Sequence, residues 1–161
     1  MKAESLFVAA ADLEGLVAAI FEKAGCSGAE SDRIARYLVR ANLAGHDSHG
    51  VVRVPRYVQM KHEKLVLADQ EVEVLVDTPV LAVVDGKYGF GQTVAPQAVE
   101  IGIEKCRHMG LAAVSLRRAG HIGRVADWAE IAADQGLVSI HFVNAAAGML
   151  VAPFGAVERR F

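Results

Sequence analysis

Val80-Leu81-Ala82-Val83-Val84, an apolar rhythm from Gly91 to His108, and Leu111-Ala112-Ala113-Val114-Ser115-Leu116 read together as strand, helix, strand. The outer runs are short and apolar, which suits buried strands. Between them Val94, Ala98, Ile101 and Ile103 recur at helical spacing. Pro96 lies near the helix start, where a missing N–H is tolerated, and Gly110 stands past its end. Asp85-Gly86 reads as the turn between strand and helix. Downstream the pattern repeats, with a helix from Arg124 to Gln135 closed by Gly136 and a strand from Leu137 to Val143. Upstream, Val72, Val74 and Val76 alternate with Glu71, Glu73 and Leu75 as an earlier strand. Such alternation predicts an α/β fold whose parallel neighbours are joined by right-handed crossovers.

Before the first strand the chain is helical. A helix from about Asp12 to Ala24 is capped by Asp12, turns Leu13, Leu16, Val17, Ile20 and Phe21 to one face, and ends at Gly25. Ser27 and Glu30 have the spacing of a capping box and start a second helix running to about Leu43, with Ile34, Leu38 and Ala41 or Leu43 as its stripe. A third helix begins near Gly50 or Val51, where Pro55 falls in the first turn and Arg53 and Tyr57, four apart, share a face. Two regions follow: 1–80, helical and substrate-binding, and 81–161, the first part of a cofactor-binding α/β unit.

Polar chemistry concentrates between the second and third helices. Gly45-His46-Asp47-Ser48-His49-Gly50-Val51-Val52-Arg53-Val54-Pro55-Arg56-Tyr57 brings histidines, a serine and arginines together between glycines that let the backbone turn sharply. A histidine can exchange a proton near neutrality, and Arg53 has the fork that grips a carboxylate by two parallel hydrogen bonds. The plain alternatives are ordinary loop histidines and a solvated arginine face. Asp47, Ser48 and His49 are sequence neighbours, unlike a nucleophilic triad gathered from distant segments. His46 and His49 alone lack a third metal ligand nearby, so no metal is expected. Gly86-Lys87-Tyr88-Gly89-Phe90-Gly91 has its glycines in the wrong order for a dinucleotide fingerprint, and reads as a helix cap or a close backbone approach. Gly120-His121-Ile122-Gly123, between strand and helix, lies where open α/β sheets place ligands.

Composition excludes several classes of partner. A net charge of −2 gives no clustered positive excess for nucleic acid. Apolar residues make up 53% of the chain, yet no run approaches the ~20 residues a membrane helix needs, and no signal peptide is expected. Two cysteines, Cys26 and Cys106, make no disulfide framework, so a reducing, cytoplasmic setting is expected.

The run Gly-His-Asp-Ser-His-Gly-Val-x-Arg-x-Pro-x-Tyr is followed in order by Val84-Asp85-Gly86, Gly89-Phe90-Gly91-Gln92, Gly120-His121-Ile122-Gly123-Arg124 and Ala152-Pro153-Phe154-Gly155. Together these motifs resemble the malate/L-lactate dehydrogenase family that lacks an ordinary Rossmann domain, a group that includes sulfolactate and ureidoglycolate dehydrogenases, diketogulonate reductase and piperideine-carboxylate reductase. The resemblance implies a non-Rossmann NAD(P)-dependent fold and a homodimer interconverting 2-hydroxy and 2-oxo acids. It implies that His49, hydrogen-bonded to Ser48, exchanges the proton, with a distal aspartate beyond this chain, and that His121 lies beside substrate and nicotinamide and is the acid/base in some members. Arg53 and Tyr57 would hold the carboxylate. Gly120, His121, Asn144, Ala145 and Pro153 would meet NAD or NADP, Ala145 standing where many members carry Ser or Thr. Members are longer than this chain, so the resemblance also implies an amino-terminal part, and a non-catalytic fragment that folds or dimerises without a complete cofactor site is the alternative. A metal-dependent hydrolase built on His46 and His49 is a weaker rival.

Overall fold

The computed structural model describes residues 7–144. Among them are five α-helices, two 3₁₀ turns and one three-stranded sheet, a mixed α/β architecture. Helix α1 spans Ala10–Lys23 and starts before Asp12, which lies in the first turn and complements the helix dipole rather than capping it. Its end is a Schellman turn: Gly25, at φ +91°, donates to Glu22 O and Cys26 donates to Phe21 O. Val17 and Phe21 are buried, whereas Leu16 is 60% exposed. The expected apolar face is thus narrower, because α1 packs mainly along α2 (Gly28–Leu43), with Phe21 at its end reaching Phe90 and Tyr57.

Ser27 caps α2 through its hydroxyl, which accepts from Glu30 N at 3.3 Å. The other half of the expected capping box is replaced. Asp69 takes Ser27 N at 3.0 Å, while the buried Glu30 carboxylate accepts from Asp69 N at 2.7 Å and Thr93 Oγ1 at 2.6 Å. A local cap has become a tie between three segments. Ile34, Leu38 and Ala41 supply the buried stripe, and Leu43 is exposed.

After α2 the chain makes two 3₁₀ turns, Asp47–His49 and Val51–Arg53, before α3 at Val54–His62. This α-helix begins later than Gly50 or Val51 because Pro55 can sit only in a first turn. Strand β1 (Glu73–Asp77) pairs antiparallel with β2 (Leu81–Gly89), and β2 pairs parallel with β3 (Ala113–Ala119) through α4 (Gly91–Met109). The expected parallel neighbours are therefore β2 and β3. The link from β1 to β2, Thr78 to Val80, is too short for a crossover and makes a hairpin.

Asp85-Gly86 lies inside β2, not in a turn after it. Asp85 is buried there because Arg118 Nε donates to both of its oxygens, at 3.0 and 2.7 Å, and Lys87 N donates at 2.8 Å. Arg118 holds the Asp85 carboxyl below its usual range. The turn chemistry appears two residues later as a break in register, with Lys87 and Tyr88 at positive φ.

Helix α5 is shorter than expected, Ala126–Ala133. No strand forms between Leu137 and Val143 among the described residues; Val138, Ile140 and Phe142 are exposed, with no partner to complete a ladder.

The core joins helices to sheet. Phe21 meets Phe90 edge-on at 5.8 Å between ring centroids, and Tyr57 packs at 6.1 Å from Phe90. The Tyr57 ring thus lies in the core while its hydroxyl reaches the polar cluster above it.

Candidate active site

The cluster is built from two walls. One is the loop after α2, folded back on Asn42 in the last turn of that helix. Asn42 Nδ2 donates to Asp47 Oδ1 at 2.6 Å, and Asn42 Oδ1 accepts from Val51 N at 2.8 Å. A Cβ on Gly50 would lie 2.1 Å from Asn42 Oδ1, so only glycine allows this closure. The closure brings Ser48 Oγ within 2.9 Å of His49 Nδ1, and Arg53 Nε donates to Ser48 O at 2.6 Å.

The other wall follows β3. Gly120 N donates to Gly89 O at 2.8 Å, and a Cβ on Gly91 would lie 2.3 Å from His121 O. These glycines close on one another, so the Gly86–Gly91 segment acts as a close backbone approach at the start of α4. Trp128 Nε1 donates to Ile122 O at 3.0 Å and holds the turn from below. His121 then faces His49, with ring centroids 5.0 Å apart and planes 34° from parallel, while His46 meets His49 edge-on at 4.4 Å. Tyr57 Oη lies 2.7 Å from His121 Nδ1 and accepts from Gln92 Nε2 at 3.1 Å. His49, Ser48, Arg53, Tyr57, His121 and Gly120 therefore come together from three parts of the chain.

Charge in the cluster is one-sided. His121 is exposed along its outer edge, yet the protein packed round the ring lowers its pKa to about 4, with repulsion from Arg53 and His49 adding to the effect. His49 is lowered by burial, then by His46 and Arg53. Burial pushes the Tyr57 phenol up to about 12, against the Gln92 hydrogen bond and the Arg53 charge. At neutral pH the cluster holds two neutral imidazoles, a neutral phenol and one cation. Among the described residues no carboxylate pairs with Arg53.

Asn144 is exposed and no hydrogen bond ties it to the cluster; Ala145, Pro153 and the Ala152–Gly155 motif lie outside the described residues. No three His, Cys, Asp or Glu side chains converge as metal ligands among the described residues. Surface clefts of about 630 and 540 Å³ lie elsewhere, along α4 against α2 and β1, and contain no histidine. Two residues that organise the cluster, Asn42 and Gln92, do not stand out in the sequence as site residues. Gln92 was visible only as the last letter of the Gly89-Phe90-Gly91-Gln92 motif, and Asn42 carried no signal beyond its place one turn before the loop.

Comparison with known proteins gives a consistent result. The family model described as malate/L-lactate dehydrogenase matches residues 8–161. Hydroxycarboxylate dehydrogenase B of Escherichia coli is 38% identical over 149 residues, covering 92% of this chain and 41% of the relative. The (2R)-3-sulfolactate dehydrogenase (NADP(+)) of Chromohalobacter salexigens is 32% identical over 151 residues, 94% of this chain and 44% of its own length. The solved malate dehydrogenase of Pyrococcus horikoshii superposes with a TM-score of 0.78 at 30% identity, over 81% of this chain and 38% of that one. The chain spans about 40% of the length of the relatives it matches. A motif-bearing loop, a matching fold and a family match across nearly all of the sequence agree: this chain belongs to the malate/L-lactate dehydrogenase family.

Proposed function

We propose that this chain supplies the acid-binding and proton-exchanging part of an NAD(P)-dependent dehydrogenase that interconverts a 2-hydroxy acid and a 2-oxo acid. The observation that carries this reading is Arg53, without a carboxylate partner among the described residues and close enough to two neutral imidazoles to repel their protons. Its Nε is held by Ser48 O, which leaves the terminal nitrogens for a substrate carboxylate. A cation beside rings that resist protonation favours an anion and gives it no charged competitor.

The two histidines suit different tasks. A ring with a pKa of about 4 holds a second proton poorly at neutral pH, so His121 serves as a hydrogen-bond donor to the substrate oxygen. His49, braced by Ser48, takes the hydroxyl proton during oxidation and returns it during reduction.

Hydride must come from a nicotinamide, because no side chain carries one. Gly91 and Gly120 are closed against His121 O and Gly89 O, so their backbone offers the dinucleotide's phosphates no cradle at the start of α4.

Incubation of the purified chain with NADH or NADPH and a panel of 2-oxo acids tests the reading. Loss of nicotinamide absorbance supports it, and where turnover is seen His49→Ala lowers it by on the order of 10²–10⁴. Acid binding without turnover favours a second reading, a non-catalytic fragment. Absence of acid binding overturns the first reading and leaves a fragment that only folds or dimerises.

A further inference from the structure

Gln92 is fully buried at the start of α4, and its side chain touches the cluster at a single point. Its Nε2 donates to Tyr57 Oη at 3.1 Å, while its Oε1 has no hydrogen-bond partner. Turning the amide over would place a two-donor NH₂ where one oxygen now stands unpartnered, so the donor orientation is the less costly one. Gly123, at φ +72°, confines the amide from above: a Cβ there would lie 2.9 Å from Gln92 Nε2.

A phenol that accepts from an amide must send its own proton elsewhere. The acceptors in reach are His121 Nδ1 at 2.7 Å and, less directly, His121 O at 3.3 Å. Gly123 N also points at His121 Nδ1, at a longer 3.3 Å, a weaker contact that agrees with a lone pair on that nitrogen. The imidazole proton is then left on Nε2, the nitrogen not engaged by the protein.

We propose that Gln92 is a positioning residue that acts through Tyr57 to fix the tautomer of His121. Its amide makes the Tyr57 hydroxyl a donor to Nδ1, so that His121 presents Nε2–H outward as a hydrogen-bond donor. The assignment deepens the role given to His121 above and rests on it for its functional meaning, but the tautomer is read without substrate. A failed acid titration beside the expected tautomer sinks the functional reading alone; the wrong tautomer sinks this proposal and the donor role of His121 with it, and leaves acid binding at Arg53 standing.

Long-range nitrogen–proton correlation spectra of the isotope-labelled chain give the test. Wild-type His121 is expected to show a pyridine-type Nδ1 and a pyrrole-type Nε2. Gln92→Glu, above the pH at which its new carboxyl titrates, accepts the Tyr57 proton and reverses the chain of donors, so the His121 proton moves to Nδ1. Should that variant fail to fold, Gln92→Leu frees the hydroxyl to rotate, and the two nitrogen signals of His121 move toward averaged values. A wild-type ring protonated on Nδ1, or an Nε2–H tautomer unchanged in whichever variant folds, overturns the proposal.

Discussion

Gly50 shows how closely the cluster depends on single atoms. The whole Asn42 amide lies within 2.6 Å of where a Cβ would stand, and that amide is held by bonds to Asp47 and Val51. Gly50→Ala must displace it, leaving donors and acceptors unmatched at a cost of ~1–3 kcal/mol. A lowered denaturation midpoint and shifted His49 resonances are expected; an unchanged midpoint means the loop closes without the amide. Histidines and Arg53 were legible in the sequence because their chemistry belongs to the residue type. Asn42 and Gln92 were not, since an amide has no titration or charge to announce it and acts only through what the fold places beside it.

At the scale of elements, periodicity was a good guide to helices and a poor one to pairing. Helix α4 needs only its own stripe and its closing Gly110, so its limits are local and were readable. Leu137 to Val143 has strand composition, but a ladder depends on a partner that local sequence does not name. Asp85-Gly86 misled for a related reason: turn residues also serve at a break within a strand, and the deciding partner, Arg118, lies on β3. The Ser27–Glu30 pair had the right spacing, yet Asp69 and Thr93 take over half of its bonds. This exchange predicts an unequal pair of mutants. Ser27→Ala loses a cap worth ~1 kcal/mol plus the hydroxyl's bond to Asp69, while its backbone N–H keeps its own. Glu30→Ala, which strands the buried Thr93 hydroxyl at ~1–3 kcal/mol and also breaks the bond from Asp69 N, is expected to be the more destabilising. Equal unfolding midpoints would show that Glu30 is only a helix cap.

Across the whole molecule, the neutral histidines link stability to pH. An unfolded histidine protonates near 6.5, whereas His121 in the fold does so only at about 4. Between those values the unfolded state binds more protons, so stability falls as pH falls, and below about 4 this contribution stops growing. Burial raises the Asp127 carboxyl and acts in the opposite sense near the acid end of that window. The readout is therefore a difference: His121→Gln should flatten the decline in melting temperature between pH 6.5 and 4. A variant with the wild-type slope would show that His121 is not held neutral by the fold.

The account as a whole depends on Arg53 receiving a carboxylate beside the two imidazoles. Calorimetric titration of the wild-type chain and Arg53→Ala with a 2-hydroxy acid tests this most directly. Loss of charged hydrogen bonds worth ~1.5–3 kcal/mol corresponds to a Kd weakened by roughly tenfold to a hundredfold. That weakening, with His49 and His121 resonances moving only in the wild type, is the expected result; equal affinity in the two proteins would contradict the account.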